Sequence, residues 1–311
     1  MMGTKMKNLK GLVLGIGAAA LLSGAALAAD APVRKAPPPA PASATPLWDL
    51  AFGAALMSDY NFRGISQSNR EVSFGAYAEL QFNPANMGQF YAGVAAWRVN
   101  WPSTPAFGFT NPAAEVDFTG GWRKTWGALS LDLGFIYYYY PGEVFNGFTN
   151  NSDFWEFAVK AGYAITPDLT VGVNVFYSPD VLNYSQTFAA LGIAAKAQGT
   201  YASLTGKWVT PWKAGDLGAY FSGEIGHWWL STTGFLAAGY VDPSYTYGNI
   251  GLAFTWKTLT LDLRYHANDL SVAKCTSFLL SAIGNPSNAW CGNTFIAALK
   301  FDTTVSALTA K

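Results

Sequence analysis

The chain has 311 residues and a formal net charge of zero; half of it is hydrophobic, 16% is aromatic and only 12% is charged. This balance excludes a disordered chain, which needs low hydrophobicity and high charge, and its neutrality argues against a nucleic-acid partner. Past the first residues no apolar run reaches the roughly 18 residues that a membrane helix requires. What remains is a β-rich body with too few surface charges for water.

Lys5, Lys7 and Lys10 precede an apolar stretch from Gly11 to Leu22, and Ala26-Leu27-Ala28 supplies a small-residue cleavage site. This pattern predicts a signal peptide over 1–28, removed after Ala28, and hence export. Asp30 to Pro46 reads DAPVRKAPPPAPASATP. Such a composition stays extended and buries nothing, so 29–46 is expected to be a periplasmic spacer.

From Leu47 the apolar residues recur at every second position. Val72, Phe74, Ala76, Ala78, Leu80 and Phe82 interleave with Ser73, Gly75, Tyr77, Glu79 and Gln81. Leu129 to Tyr139 and Leu259 to His266 repeat the pattern. Alternate side chains on a strand point to opposite faces, so each segment has one greasy face and one polar or small face. About twelve such segments are legible, over 47–64, 71–82, 89–101, 114–124, 128–140, 153–165, 169–178, 198–209, 217–230, 245–257, 259–268 and 292–302. Their connections alternate: short at 83–88, 125–127, 166–168, 210–216 and 258, and long at 65–70, 102–113, 141–152, 179–197, 231–244 and 269–291. Short turns on one side, long loops on the other and an even strand count predict an all-β fold. It would be a transmembrane antiparallel up-and-down β-barrel of about 12 strands over 47–302, with a tail at 303–311.

The aromatics fall at segment ends. Outward-running segments end in Tyr60/Phe62, Trp97/Trp101, Tyr137/Tyr139, Tyr177 and Trp229; inward-running ones end in Trp122, Trp208, Trp256 and Phe301. Rings with one wet and one dry edge collect at lipid headgroups, so two belts are expected. A soluble sandwich also alternates, but its polar face would meet water and carry more charge.

The string Ser58-Asp59-Tyr60-Asn61-Phe62-Arg63-Gly64-Ile65-Ser66-Gln67-Ser68 resembles the motif that opens the Gcw_chp family, also called TorF-type porins. Gly75-Ala76-Tyr77 through Phe90-Tyr91-Ala92-Gly93-Val94 is similar to the next part of that family, as is Glu115-Val116-Asp117 followed by Gly120-Gly121-Trp122. The resemblance implies a Gram-negative outer-membrane barrel of porin type, with lipid and small polar solutes as partners and with no catalytic residues to carry over. The chain departs from the family in its Pro/Ala-rich spacer, in Cys275 and Cys291, and in a final segment that continues to Lys311 without a terminal aromatic.

Parity within the segments separates inward from outward side chains. The expected lumen carries Asp59, Glu79, Glu115, Asp117, Asp132, Glu156, Glu224 and Asp262 against Arg63, Arg98, Arg123, Lys160, Lys207, Arg264 and Lys300, with His266 and Asn61 beside them. Both signs face a low-dielectric shell and should pair across strands. They either brace the barrel or line a polar passage. Asp59, Asn61 and Arg63 are expected to stand in one column on a long first strand, near the outer mouth. His227 shares parity with Trp229 and would meet the outer lipid boundary, where a serine–histidine pair could serve a lipase-like enzyme; Ser231 lies beyond the strand end. No spacing suggests a metal, and no cofactor is expected. Cys275 and Cys291, 16 positions apart, would bond in an oxidising compartment or else remain two free thiols. Gly120-Gly121 reads as a bend or curvature device. Two functions follow from the barrel: a passive channel for small polar solutes with a near-neutral mixed-charge lumen, or a structural or adhesive barrel with a plugged one.

Overall fold

A strand with one apolar face and two unsatisfied edges must pair on both sides before it can meet lipid. The computed structural model, which describes residues 45–101, 112–142, 152–190, 194, 196–233, 244–279 and 290–309, meets that demand by closing the sheet. The strands are β1 (Trp48–Met57), β2 (Asn61–Phe62), β3 (Ile65–Ser66), β4 (Ser73–Phe82), β5 (Gln89–Trp97), β6 (Glu115–Trp126), β7 (Leu129–Tyr139), β8 (Phe154–Thr166), β9 (Leu169–Ser178), β10 (Lys196–Ala214), β11 (Leu217–Thr233), β12 (Tyr245–Trp256), β13 (Leu259–Asn268) and β14 (Thr294–Thr304). Short helices α1 (Tyr184–Ala190), α2 (Val272–Leu279) and α3 (Val305–Thr309) lie outside the sheet. β1 and β4 to β14 form a closed antiparallel barrel of twelve strands, while β2 and β3 pair only with each other. Closure runs through β1 and β14, with Ala51 opposite Thr304 and Met57 opposite Ala298.

The strands follow the period-two reading, with shifted ends. β1 stops at Met57 rather than continuing to residue 64, β5 stops at Trp97 rather than 101, β10 runs on to Ala214 through a bulge between Val209 and Lys213, and β11 runs on to Thr233, so Ser231 lies within the strand and not beyond it. Pro211 lies inside that bulge, where a missing N–H costs no ladder bond. β14 passes residue 302 by two positions and turns into α3. The expected signal peptide and most of the spacer lie outside the described residues.

The outward faces are apolar and open. Trp48, Phe90, Trp126, Trp208 and Trp256 ring the short-turn end, and Phe74, Tyr139, Phe157, Trp229 and Phe295 ring the long-loop end. Four expected belt members go the other way. Tyr60 and Phe62 lie past the end of β1 and are buried, Trp97 shares the inward parity of Gln89, Tyr91 and Ala95, and Trp101 packs on the inner cluster. The short turns are tight. Gly127, Gly215 and Lys257 begin two-residue connections with φ of +60°, +62° and +53°, the left-handed conformation that matches the twist of paired strands.

Gly121 sits where a side chain has no room. A Cβ there would lie 2.5 Å from the Tyr91 hydroxyl and 2.4 Å from the Leu133 carbonyl oxygen. The glycine makes room for the Tyr91 ring, which crosses the wall inside the barrel and donates to Asp132 Oδ1 at 2.8 Å.

Candidate functional site

The chain leaves the wall at Ser58, where β14 gives it a last ladder contact from Ser58 N to Ala297 O at 2.9 Å. The next residues fold inward rather than upward. Asp59 accepts hydrogen bonds from Ser66 Oγ (2.5 Å), Ser68 Oγ (3.0 Å) and Arg70 Nη1 (2.9 Å), gathering both sides of the loop on one carboxylate. Ser68 Oγ also accepts from the Tyr60 amide at 2.9 Å. β2 and β3 form a hairpin whose two turn residues, Arg63 and Gly64, have φ of +48° and +87°. Asn61 Oδ1 accepts from the Gly64 amide at 2.8 Å and holds that turn. The polar residues of the 58–68 string are therefore the internal scaffold of a hairpin that enters the barrel.

The tip of the hairpin carries a clamped guanidinium. Arg63 Nη1 and Nη2 donate to Glu156 Oε1 and Oε2 on β8 at 2.8 and 2.9 Å, a bidentate fork of the strong kind. Arg63 Cζ lies 4.7, 4.8, 4.5 and 4.6 Å from the ring centres of Phe62, Phe176, Tyr201 and Trp228. The last three rings are direct cross-strand neighbours on β9, β10 and β11. Backbone contacts complete the attachment: Tyr245 Oη donates to Arg63 O at 2.8 Å, and Asn268 Nδ2 donates to Gly64 O at 2.7 Å. Only 1% of the Arg63 side chain is exposed.

Around this tip the long-loop half of the lumen is a packed core. Phe62, Ile65, Tyr138, Phe154, Phe176, Tyr201, Trp228 and Tyr245 belong to one buried cluster. Cys275 and Cys291 belong to it too, bonded to each other and fully buried. The disulfide segment meets the hairpin from the other side through Ser66 N to Trp290 O (2.8 Å) and Arg70 Nη2 to Gly292 O (2.6 Å).

Beside the clamp is a ledge of acids. Glu115 accepts from the Tyr60 and Tyr140 hydroxyls, and Glu156 accepts from Tyr138 Oη at 3.1 Å. Asp117, fully buried and directly opposite Tyr138 in the ladder, has no hydrogen-bond partner of normal geometry at either carboxylate oxygen.

The short-turn half is polar and paired. Arg123 forms an ion pair with Glu79, bonds Gln89 Oε1 at 2.5 Å and stacks 4.5 Å above Tyr91. Lys160 lies opposite Asp132 in the ladder and 5.4 Å from the Phe176 ring. Lys207 Nζ sits 3.7 Å over Tyr220. Asp262 receives both Arg264 (3.3 Å) and Lys300 (3.0 Å), and Arg264 reaches Ser222 Oγ at 2.7 Å. Glu224 accepts from Tyr201 Oη at 2.9 Å, and His266 meets Tyr247 Oη at 2.9 Å.

Of the residues assigned to the lumen by parity, Arg98 faces outward. It shares the face of Phe90 and Val94, and pairs with Glu71 at 2.8 Å on the rim. Hydrogen bonds from Arg98 and Asn100 hold the exposed Glu71 carboxyl below its ordinary range. The expected column of Asp59, Asn61 and Arg63 does not form, because the strand meant to carry it ends at Met57. Asp59 pairs with Arg70, and Arg63 crosses to Glu156. The inner aromatics were missed altogether. Tyr138, Tyr201 and Trp228 share strand parity with Asp132, Lys207 and Glu224, and Phe176 with the polar Asn174 and Ser178; that signal would have found them.

On the outer wall His227 Nδ1 contacts Thr246 Oγ1 at 3.0 Å, not Ser231. Among the described residues, no three His, Cys, Asp or Glu side chains converge to hold a metal.

Three solved outer-membrane proteins are similar to this chain. A NanC porin gives a TM-score of 0.45 at 12% identity, over 81% of this chain and 97% of its own. The COG4313 outer membrane channel from Pseudomonas putida F1 gives 0.46 at 12%, over 86% and 100%. A KdgM porin gives 0.41 at 9%, over 81% and 98%. No curated protein matches the chain. A family model described as a bacterial protein of unknown function matches residues 41–211, from before β1 into β10 and more than half of the chain. With the hairpin-building string 58–68 inside the matched span, the chain belongs to the Gcw_chp family.

Proposed function

We propose that the protein is a porin of the Gram-negative outer membrane, passing small polar solutes along an inner wall of mixed charge. The observation that carries this reading is the division of the barrel into an apolar, exposed outside and an inside bearing Glu79, Arg123, Asp132, Lys160, Lys207, Glu224, Asp262, Arg264 and Lys300. A barrel that only had to be filled could use apolar side chains at lower desolvation cost. Twelve strands enclose more room than an eight-stranded barrel fills with side chains and less than an open sixteen-stranded one. In this reading the narrow part is the hairpin β2–β3, and the wall it presses against selects what passes. The signal peptide and spacer proposed for residues 1–46 place the short-turn end in the periplasm.

A second reading, a structural or adhesive barrel with a permanently plugged lumen, draws on the burial of the hairpin tip under the disulfide segment. Planar-bilayer recording separates the two. The channel reading expects small, weakly ion-selective conductance from the wild type, several-fold higher conductance when residues 60–67 are replaced by a short Gly/Ser link, and a reversal potential shifted toward cations in Arg63→Ala. A flat current from all three properly assembled proteins would leave the plugged barrel.

A further inference from the structure

The surroundings of Arg63 have the chemistry of a binding site. Three rings from three successive strands, Phe176, Tyr201 and Trp228, stand within 4.8 Å of one guanidinium carbon. A carboxylate from a fourth strand closes the cage with two parallel hydrogen bonds. Aromatic faces attract cations through their quadrupole, and a carboxylate fork matches the planar guanidinium rather than a spherical ion. All four groups belong to the wall, whereas the cation belongs to a loop.

The charge around the cage points the same way. Glu115 and Asp117 on β6 and Glu156 on β8, with β7 between the two strands, are all buried. Arg63 is hydrogen-bonded to Glu156, and Glu115 accepts from two tyrosine hydroxyls; Lys160, on the strand of Glu156 and beside the Phe176 ring, adds a second positive charge. Without Arg63, three buried carboxylates would be left with the Lys160 charge beside them, and buried carboxylates short of counter-charge recruit a cation.

We infer that the inner wall holds a binding site for guanidinium-class organic cations, built from Phe176, Tyr201, Trp228 and Glu156, and that Arg63 occupies it as an internal ligand. Withdrawal of the hairpin would break the bidentate pair, the two hydrogen bonds to its turn carbonyls, and the bonds of Tyr60 to Glu115, Ser66 to Trp290 and Arg70 to Gly292, and would hand the site to a solute carrying the same group. The inference deepens the channel reading, since such a solute would bind at the narrowest place. Its test needs no passage through the barrel.

The test uses full-length Arg63→Gly in detergent. Glycine accepts the φ of +48° at this position without strain, so the hairpin turn is kept and only the side chain leaves. The midpoint of heat-induced loss of the folded gel band is followed against millimolar methylguanidinium, methylammonium and sodium. Arg63→Gly should be stabilised by methylguanidinium at a concentration about tenfold lower than by methylammonium, as the forked geometry adds to the ring contacts. The wild type should show no such preference, and Arg63→Gly/Glu156→Gln should lose it. Equal responses to the two organic cations in Arg63→Gly, the same preference in the wild type, or its survival without Glu156 would each overturn the site. If Arg63→Gly does not assemble alone, refolding it with each cation becomes the measurement: recovery with methylguanidinium only supports the site, and no recovery or equal recovery refutes it. A barrel that binds but passes no current refutes the channel reading alone, and one that conducts without the preference refutes the site alone.

Discussion

At the scale of single residues, Arg63 and Glu156 decide how the inside of the barrel is arranged. Each is almost wholly buried, so neither charge can be left without the other. Breaking such a pair by removing one partner typically costs about 3–5 kcal/mol, because the survivor keeps its desolvation penalty without its attraction. Glu156→Gln and Arg63→Ala are each expected to lower the unfolding free energy in detergent by an amount of that order. The double variant should cost clearly less than their sum, giving a large coupling energy in a double-mutant cycle. Additive losses would show that the two side chains do not act as a unit. Arg98 and Glu71 make a useful contrast. Their pair is exposed on the rim, and exposed pairs are worth about 0–1 kcal/mol, so Arg98→Ala should leave stability nearly unchanged.

At the scale of elements, two neighbouring glycines in β6 have opposite duties. The nearest atom to a Cβ on outward-facing Gly120 would be 3.6 Å away, whereas one on inward-facing Gly121 would collide with Tyr91 and the Leu133 carbonyl. Gly120→Ala should assemble and melt like the wild type. Gly121→Ala should lose about 1–3 kcal/mol, the usual cost of overpacking, and Tyr91→Phe should recover only part of it, since the Leu133 carbonyl oxygen stays in the way. The disulfide segment offers a second check. Cys275 and Cys291 close a loop with a separation of 16 residues, and in the chain-entropy model a loop near that length is worth about 3 kcal/mol. Thiol labelling of unreduced, denatured protein should therefore be negligible, and the Cys275→Ser/Cys291→Ser barrel should unfold at lower temperature. The hairpin shows where reading from sequence reached its limit. Alternation in Tyr60 and Phe62 continued that of β1, and period two records only which side of a strand a residue takes. It cannot record that the chain has left the wall and folded back on itself as a hairpin. The turn itself was written in Arg63-Gly64 and in the Asp59, Ser66 and Ser68 bonds, but these are contacts of a loop with itself and with distant strands.

At the scale of the whole molecule, the barrel was legible because the strands repeat one rule, an apolar outer face with the charges turned inward, and the connections repeat another, short on one side and long on the other. Twelve repetitions outvote local exceptions such as Arg98 or the Pro211 bulge. The site was legible only in its charges. Its aromatics, Tyr138, Phe176, Tyr201 and Trp228, were hidden by the expectation that rings belong at the lipid boundary. In this molecule the inward rings pack into one buried cluster around Arg63, and the outward rings stand exposed at the two ends of the wall. One contact at the short-turn end has a topological consequence. Ser306 donates to Asp49 from its amide (3.1 Å) and its hydroxyl (2.5 Å), joining the beginning of β1 to the end of β14. The described chain ends are therefore side by side, and the β1–β14 ladder differs from the other eleven in covalent history, not in hydrogen bonding. Residue 309 could be joined to residue 45 by a short linker and the chain reopened in a long loop, between β7 and β8 for example. Such a circular permutant should refold in detergent to a heat-modifiable barrel with the hairpin still clamped, since the sheet is a ring in which any of the long-loop gaps can serve as the place where the polypeptide begins.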